Sequence, residues 1–203
     1  MTRFMERHLM NATEQVNRED QVESCLDFLE KTIVSEIENT DLQEICFVVT
    51  QDEKFKRWPA SHGKHQTYPG GLVVHTAEVL EGCLMLSECQ HLDVDKDALV
   101  TAAILHDYAK IYDYQEKDDG TFEYADHVKK IRHVSRSYAE FMIMARDRNL
   151  NPELTDKIGH LILSHHGRKE WGSPIEPETI EAHILHFSDM LSYKTTKDYY
   201  VRD

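Results

Sequence analysis

Seven side chains in this sequence have the types and spacing that bind metal ions: His75, the pair His106-Asp107, His133, the pair His165-His166, and Asp189. Imidazole and carboxylate are the common ligands of divalent transition metals, and this donor set suits Mn, Fe, Ni, Co or Zn better than Mg alone. An adjacent His-Asp pair at a helix end can give one ion an imidazole and bridge two ions with its carboxylate. The chain holds 13 histidines in 203 residues. Their count decides less than their placement. His165 and His166 lie three and four residues after Ile162, so they extend the inward face marked by Ile158, Leu161 and Ile162. Asp189 lies one turn after Leu185 and extends another apolar stripe. His133 borders the apolar side marked by Ile131, Val134, Tyr138 and Phe141, with His127 as its rival in the same segment. Buried imidazoles and carboxylates need partners, and a shared cation satisfies several together.

The elements that must position these residues read mostly as helices. Val22, Leu26, Leu29, Ile33 and Ile37 recur at steps of three and four, predicting a helix over about 21–38. Asn39-Thr40-Asp41 breaks it and caps a second helix that ends before Trp58-Pro59. A loop spans 59–71, and its Pro69-Gly70-Gly71 permits a tight turn. Further helices are expected over 72–89, 96–108 with Asp95 as N-cap, 126–147, 152–165 after Asn151, and 178–193. Residues 111–124 differ: two aromatic-rich stretches flank Lys117-Asp-Asp-Gly120, which predicts a small β-hairpin. The expected fold is therefore all-α, a single helical bundle with a hairpin insertion. Residues 1–54 would be N-terminal helices packed on a core of 55–203.

Composition narrows the function classes. The net charge of −14 argues against coating long nucleic acid through a broad basic face. It leaves room for a small phosphorylated ligand drawn to bound cations. No apolar run reaches the roughly 18 residues of a membrane span, and Met1–Met10 has no apolar core of a signal peptide, so the expected location is cytoplasmic, with no membrane partner. Cys25, Cys46, Cys83 and Cys89 form no CxxC pair and read as small buried thiols. The sequence does not specify the oligomeric state.

The motifs together resemble the HD superfamily of metal-dependent phosphohydrolases over about residues 55–195. They are most similar to the HD domain of YhaM-type 3′–5′ exoribonucleases. The stretches that carry the likeness are Pro59-Ala with Lys64-His65, Tyr68-Pro-Gly-Gly-Leu-Val-Val-His75, Leu105-His-Asp-Tyr-Ala-Lys110 and Ile131-Arg-His133. They continue with Leu163-Ser-His-His-Gly167, Trp171-Gly-Ser-Pro174 and Leu185-His-Phe-Ser-Asp189. The resemblance implies an HD-domain bundle with two divalent ions. His75, His106, Asp107 and Asp189 would surround one; Asp107, His133, His165 and His166 would surround the other. It also implies that Asp107 and Lys110 act in catalysis, with Lys110 meeting substrate phosphate. Departures are His65-Gln66, Ser192-Tyr193-Lys194 after the last aspartate, and helices rather than an OB-fold barrel over 1–54.

The expected activity is hydrolysis of phosphodiester bonds by a metal-activated water, as in a 3′–5′ exonuclease. A nucleotide phosphohydrolase, a cyclic-nucleotide phosphodiesterase and a metal-binding regulatory module are the alternatives. The partner would be a phosphorylated nucleotide or a short single strand. Lys64, His65 and Tyr68, with His62, could line the mouth of the site, and Arg132 and Arg136, with Lys129, could face phosphate or simply be solvated charges. Trp171 and the hairpin aromatics could stack on a base or serve packing.

Overall fold

The computed structural model describes residues 18–62, 66–89 and 92–198. Among them are eight α-helices: α1 Arg18–Glu36, α2 Thr40–Gln51, α3 Glu53–Arg57, α4 Gly71–Cys89, α5 Lys96–Leu105, α6 His133–Asp147, α7 Pro152–Ser164 and α8 Ile180–Asp198. One antiparallel hairpin joins β1 Tyr114–Glu116 to β2 Phe122–Tyr124, with Tyr114 opposite Tyr124. The fold is thus all-α with a small hairpin, as the periodicity predicts.

Local chemistry explains most boundaries. Asn39 accepts N–H bonds from Asp41 and Leu42 at the start of α2, and Asn151 does the same for Glu153 and Leu154 ahead of Pro152. Asp95 caps α5 by accepting from the Ala98 N–H at 2.9 Å. Three boundaries differ from the sequence reading. The second helix divides at Asp52, whose carboxylate accepts from the Lys54 and Phe55 N–H groups and so starts α3. The expected helix over 96–108 ends at Leu105, and a 3₁₀ turn over Tyr108–Tyr112 takes the place of the hairpin's first residues. The helix expected over 126–147 is interrupted. A 3₁₀ turn covers Asp126–Lys129, Arg132 is extended, and α6 begins at His133. No glycine or proline marks that break. Tertiary bonds fix it: His133 reaches Asp113, and the Ser137 hydroxyl accepts from the Ala109 N–H.

α5 is the centre of the bundle. Every residue from Ala98 to Leu105 is buried, and Ala98, Ala102 and Ala103 let neighbours approach closely. It packs on α2, α4 and α7, while α4 lies between α1 and α8. One apolar core joins Leu29, Ile33 and Ile45 of the N-terminal helices to Leu72, Leu105, Phe141 and Leu161. Cys25, Cys46 and Cys83 are buried.

The loop before α4 is tightly packed. A Cβ at Gly71 would stand 2.1 Å from the Gln66 carbonyl oxygen, a backbone atom. Gly71→Ala is therefore expected to destabilise the protein by about 1–3 kcal/mol, as overpacking does. Urea unfolding would measure it; an unchanged midpoint would mean that the 66–71 loop moves aside freely.

Candidate metal centre

The apolar helix α5 ends at Leu105 and delivers the two polar side chains that follow it, His106 and Asp107, to the interior. Both are essentially inaccessible to solvent, at 0% and 2% exposure. Four further helices meet there: α4 brings His75, the start of α6 brings His133, the C-terminal end of α7 brings His165 and His166, and α8 brings Asp189.

The Asp107 carboxylate divides the group in two. Its Oδ2 lies 3.1 Å from His75 Nε2 and 3.4 Å from His106 Nε2. Its Oδ1 lies 3.3 Å from His133 Nε2 and 3.7 Å from His165 Nε2. Asp189 Oδ1 joins the first side at 3.2 Å from His75 Nε2. His166 Nε2 joins the second at 3.4 Å from His133 Nε2. Two sets result, His75–His106–Asp107–Asp189 and Asp107–His133–His165–His166, and within each set the donor atoms lie within 4.8 Å of one another. All seven side chains singled out in the sequence are here.

Every ring is turned the same way. The Nδ1–H of His106 donates to the Ala103 carbonyl, that of His165 to Ile162, and that of His166 to Trp171, at 2.7, 2.6 and 3.1 Å. Carbonyl oxygens only accept, which fixes the tautomer and leaves each Nε2 facing inward. His133 Nδ1–H donates to Asp113 Oδ2 and His75 Nδ1–H to Ser192 Oγ. This is the arrangement that metal-ligating histidines adopt. Among the described residues, Asp107 Oδ1 and His165 Nε2 are buried without a hydrogen-bond partner. An ion between them would satisfy both, so the donor set fits divalent metals.

The electrostatics agree. Burial pushes the His165 ring well below its ordinary range, aided by the charges of His166 and His106. Burial, with His133 nearby, takes His166 down to about 4. Both rings are thus neutral and able to ligate at pH 7. Burial opposes ionisation of Asp107, but Lys110, His106 and His133 hold it well below the carboxylate range. Burial likewise opposes charge on Asp189, and the hydrogen bond and charge of His75 more than reverse it. His75 moves the other way: burial lowers it, but hydrogen bonds to Asp107 and Asp189 outweigh burial and take it up to about 9.

A cleft of about 1020 Å³ opens onto the cluster. Its walls include Lys110, Lys129, Arg132, Lys194, Tyr124 and Trp171. Lys110 Nζ lies 2.5 Å from Asp107 Oδ2. Other expected contacts fall elsewhere. The Arg136 guanidinium sits over the Tyr112 ring and against His127 Nε2, outside the cleft lining. Its position on α6 turns it toward the 3₁₀ turn instead. Tyr68 packs partly on the core under Arg18, also away from the cleft. His62 meets the Tyr124 ring. Lys64 and His65 lie outside the described residues. His127 is absent from both donor sets, so His133 holds the position for which the two competed. Asp113, Glu78 and His186 were given no role in the sequence reading, and Ser192 and Lys194 figured there only as departures from the family pattern. Only Asp113 had a signal, being six residues beyond Asp107.

The His75 shift carries a sign. Its folded value exceeds the ordinary 6.5, so in metal-free protein its contribution is complete below pH 6.5 and fades as pH rises through about 9. Thermal melts in chelator should show wild type losing more stability than His75→Asn between pH 6.5 and 9.5. Parallel curves would mean that His75 is neutral throughout.

Comparison with known proteins places the cluster in context. The family model described as HD domain matches residues 72–194, a span holding all seven side chains. Two curated relatives are a 3′–5′ exoribonuclease YhaM of Oceanobacillus iheyensis and one of Bacillus subtilis, 30% and 31% identical over 163 residues. Those alignments cover 79% of this chain and 50% and 51% of the relatives, so the chain spans about half their length. No solved structure gives a significant match. The matched model covers more than half of the sequence and contains the whole His/Asp cluster: this chain belongs to the HD domain family.

Proposed function

We propose that this protein is a metal-dependent phosphodiesterase that removes nucleotides from the 3′ end of short single strands. The observation that carries this reading is the Asp107 carboxylate, whose two oxygens each face a separate set of inward ring nitrogens at the floor of a cleft. His75, His106, Asp107 and Asp189 would hold one divalent ion, and Asp107, His133, His165 and His166 a second. Ions so held would supply a water of lowered pKa and neutralise charge on phosphoryl oxygens. Lys110, already fixed beside Asp107, is placed to bind a phosphoryl oxygen and stabilise its growing charge. Lys129, Arg132 and Lys194 stand on the cleft wall beside Asp126, in a chain whose net charge is −14. Trp171, half exposed at 51%, offers a face on which a base can stack.

The cleft volume admits a nucleotide or the end of a strand. Small-ligand sites occupy roughly 300–1,000 Å³, and about 1020 Å³ stands at the upper end of that range. The names of the two relatives point to the same activity. The acidic hairpin tip, with Glu116, Asp118, Asp119 and Glu123, supports a second reading, hydrolysis of a free nucleotide or cyclic nucleotide, because it repels a long polyanion.

Three outcomes separate these readings. With Mn²⁺, end-labelled single-stranded RNA should shorten stepwise from its 3′ end while nucleoside triphosphates and cyclic dinucleotides persist. Hydrolysis of the small substrates with intact RNA would establish the second reading instead. Tightly bound metal without turnover of any substrate would make the chain a binding module.

Variants test the roles. Asp107→Ala should abolish both metal retention and activity, and full activity in that variant would refute the site. Lys110→Ala should lower turnover about 10²–10³-fold with metal content near normal. Loss of metal there would show that Lys110 supports the ions rather than the phosphate.

A further inference from the structure

The five histidines of the cluster are held by two kinds of partner. His106, His165 and His166 donate to backbone carbonyls, which no substitution of the accepting residue removes. His75 and His133 donate to side chains, and each belongs to a different donor set. Each of these two links ends on a carboxylate.

The link behind His133 is direct. Asp113 Oδ2 accepts from His133 Nδ1 at 3.2 Å. The Asp113 side chain is 4% exposed, and its Oδ1 has no hydrogen-bond partner among the described residues. Asp113 caps no helix through its side chain and pairs with no lysine or arginine among those residues. A buried carboxylate whose one described side-chain partner is an imidazole is costly by itself. It becomes favourable when the far nitrogen of that imidazole faces a cation.

The link behind His75 has two steps. His75 Nδ1–H donates to Ser192 Oγ at 3.0 Å, and the Ser192 hydroxyl donates to Glu78 Oε2 at 2.7 Å. Gln66 Nε2 holds the same Glu78 oxygen at 2.8 Å. Glu78 lies one turn beyond His75 on α4, and Ser192 lies one turn beyond Asp189 on α8. The link therefore clamps together the two helices that supply His75 and Asp189. A shift of α8 against α4 would move Asp189 relative to His75, two of the four ligands of that set.

We infer that Asp113 and the Ser192–Glu78 pair are positioning residues that set the two ion positions separately, Asp113 through His133 and Ser192–Glu78 through His75. The inference rests on the two-ion reading above. The partner behind a ligating histidine fixes the ring and strengthens its donation, and its loss typically weakens metal binding about 10–100-fold. Removing one link should therefore weaken one position and spare the other. A uniformly structural role would weaken both together.

The test uses Co²⁺ titrated into the metal-free full chain, with visible absorption and calorimetry reporting each ion bound. Wild type should take two ions. Asp113→Asn keeps the shape and an acceptor but drops the charge, and Asp113→Ala drops both. Each should weaken one ion about 10–100-fold and leave the other at its wild-type affinity, with Ala the more severe. Ser192→Ala should weaken the ion that Asp113 variants spare, and Ser192→Thr, which restores the hydroxyl, should recover it. Far-ultraviolet circular dichroism would confirm that each variant is folded. An unfolded Asp113→Ala leaves the decision to Asp113→Asn. Wild type binding two ions, with variants that lose both alike or neither, would overturn the separate links and leave the two-ion reading standing. Wild type binding no ion would overturn both.

Discussion

The structure is organised around one buried negative charge. Asp107 lies just past α5, whose residues Ala98–Leu105 are all buried, and is itself 2% exposed at the floor of the cleft. A charge in that place is tolerated only when other groups neutralise it and bond to it. Five imidazoles, the Lys110 ammonium and an opposing Asp189 surround it. The surplus of neutral donors over cations there is what a site built for divalent ions requires: buried, oriented lone pairs without enough protons to satisfy them.

Holding those lone pairs in place demands close packing at the helix ends. Gly167, with φ of +81°, turns the chain directly after His165-His166. A Cβ there would stand 2.3 Å from the His186 ring. His186 Nδ1–H in turn donates to the His165 carbonyl at 2.8 Å. The Trp171 carbonyl, carried on the 3₁₀ turn that follows, receives the His166 ring. The loop after α7 thus orients one ligand and backs the other, while presenting the Trp171 side chain to the cleft.

The distribution of charge follows the same division. The chain is acidic overall, and the tip of the hairpin is among its acidic places. The cleft gathers lysines and an arginine beside the buried acids. Under the proposed function, bound ions would tip that balance toward a phosphorylated ligand.

Much of this was legible in the sequence. The steps of three and four gave the helices, Asn39, Asp95 and Asn151 gave their caps, and the Asp-Gly turn gave the hairpin, because these are local effects carried by neighbouring residues. The seven side chains of the cluster were legible too, since helical periodicity put polar residues on apolar faces and the order of motifs matched a known family. What the sequence left open was decided over distance. Local periodicity favoured His133 over His127 without deciding it, and nothing local marked the break at Arg132, because both depend on where Asp113 and Asp107 lie across the fold. Arg136 and Tyr68 looked equally suited to a ligand, yet they packed on Tyr112 and under Arg18. The links through Asp113 and through Ser192 to Glu78 join residues up to 117 positions apart. Side-chain direction at that range is set by helix packing, and only the folded chain determines it.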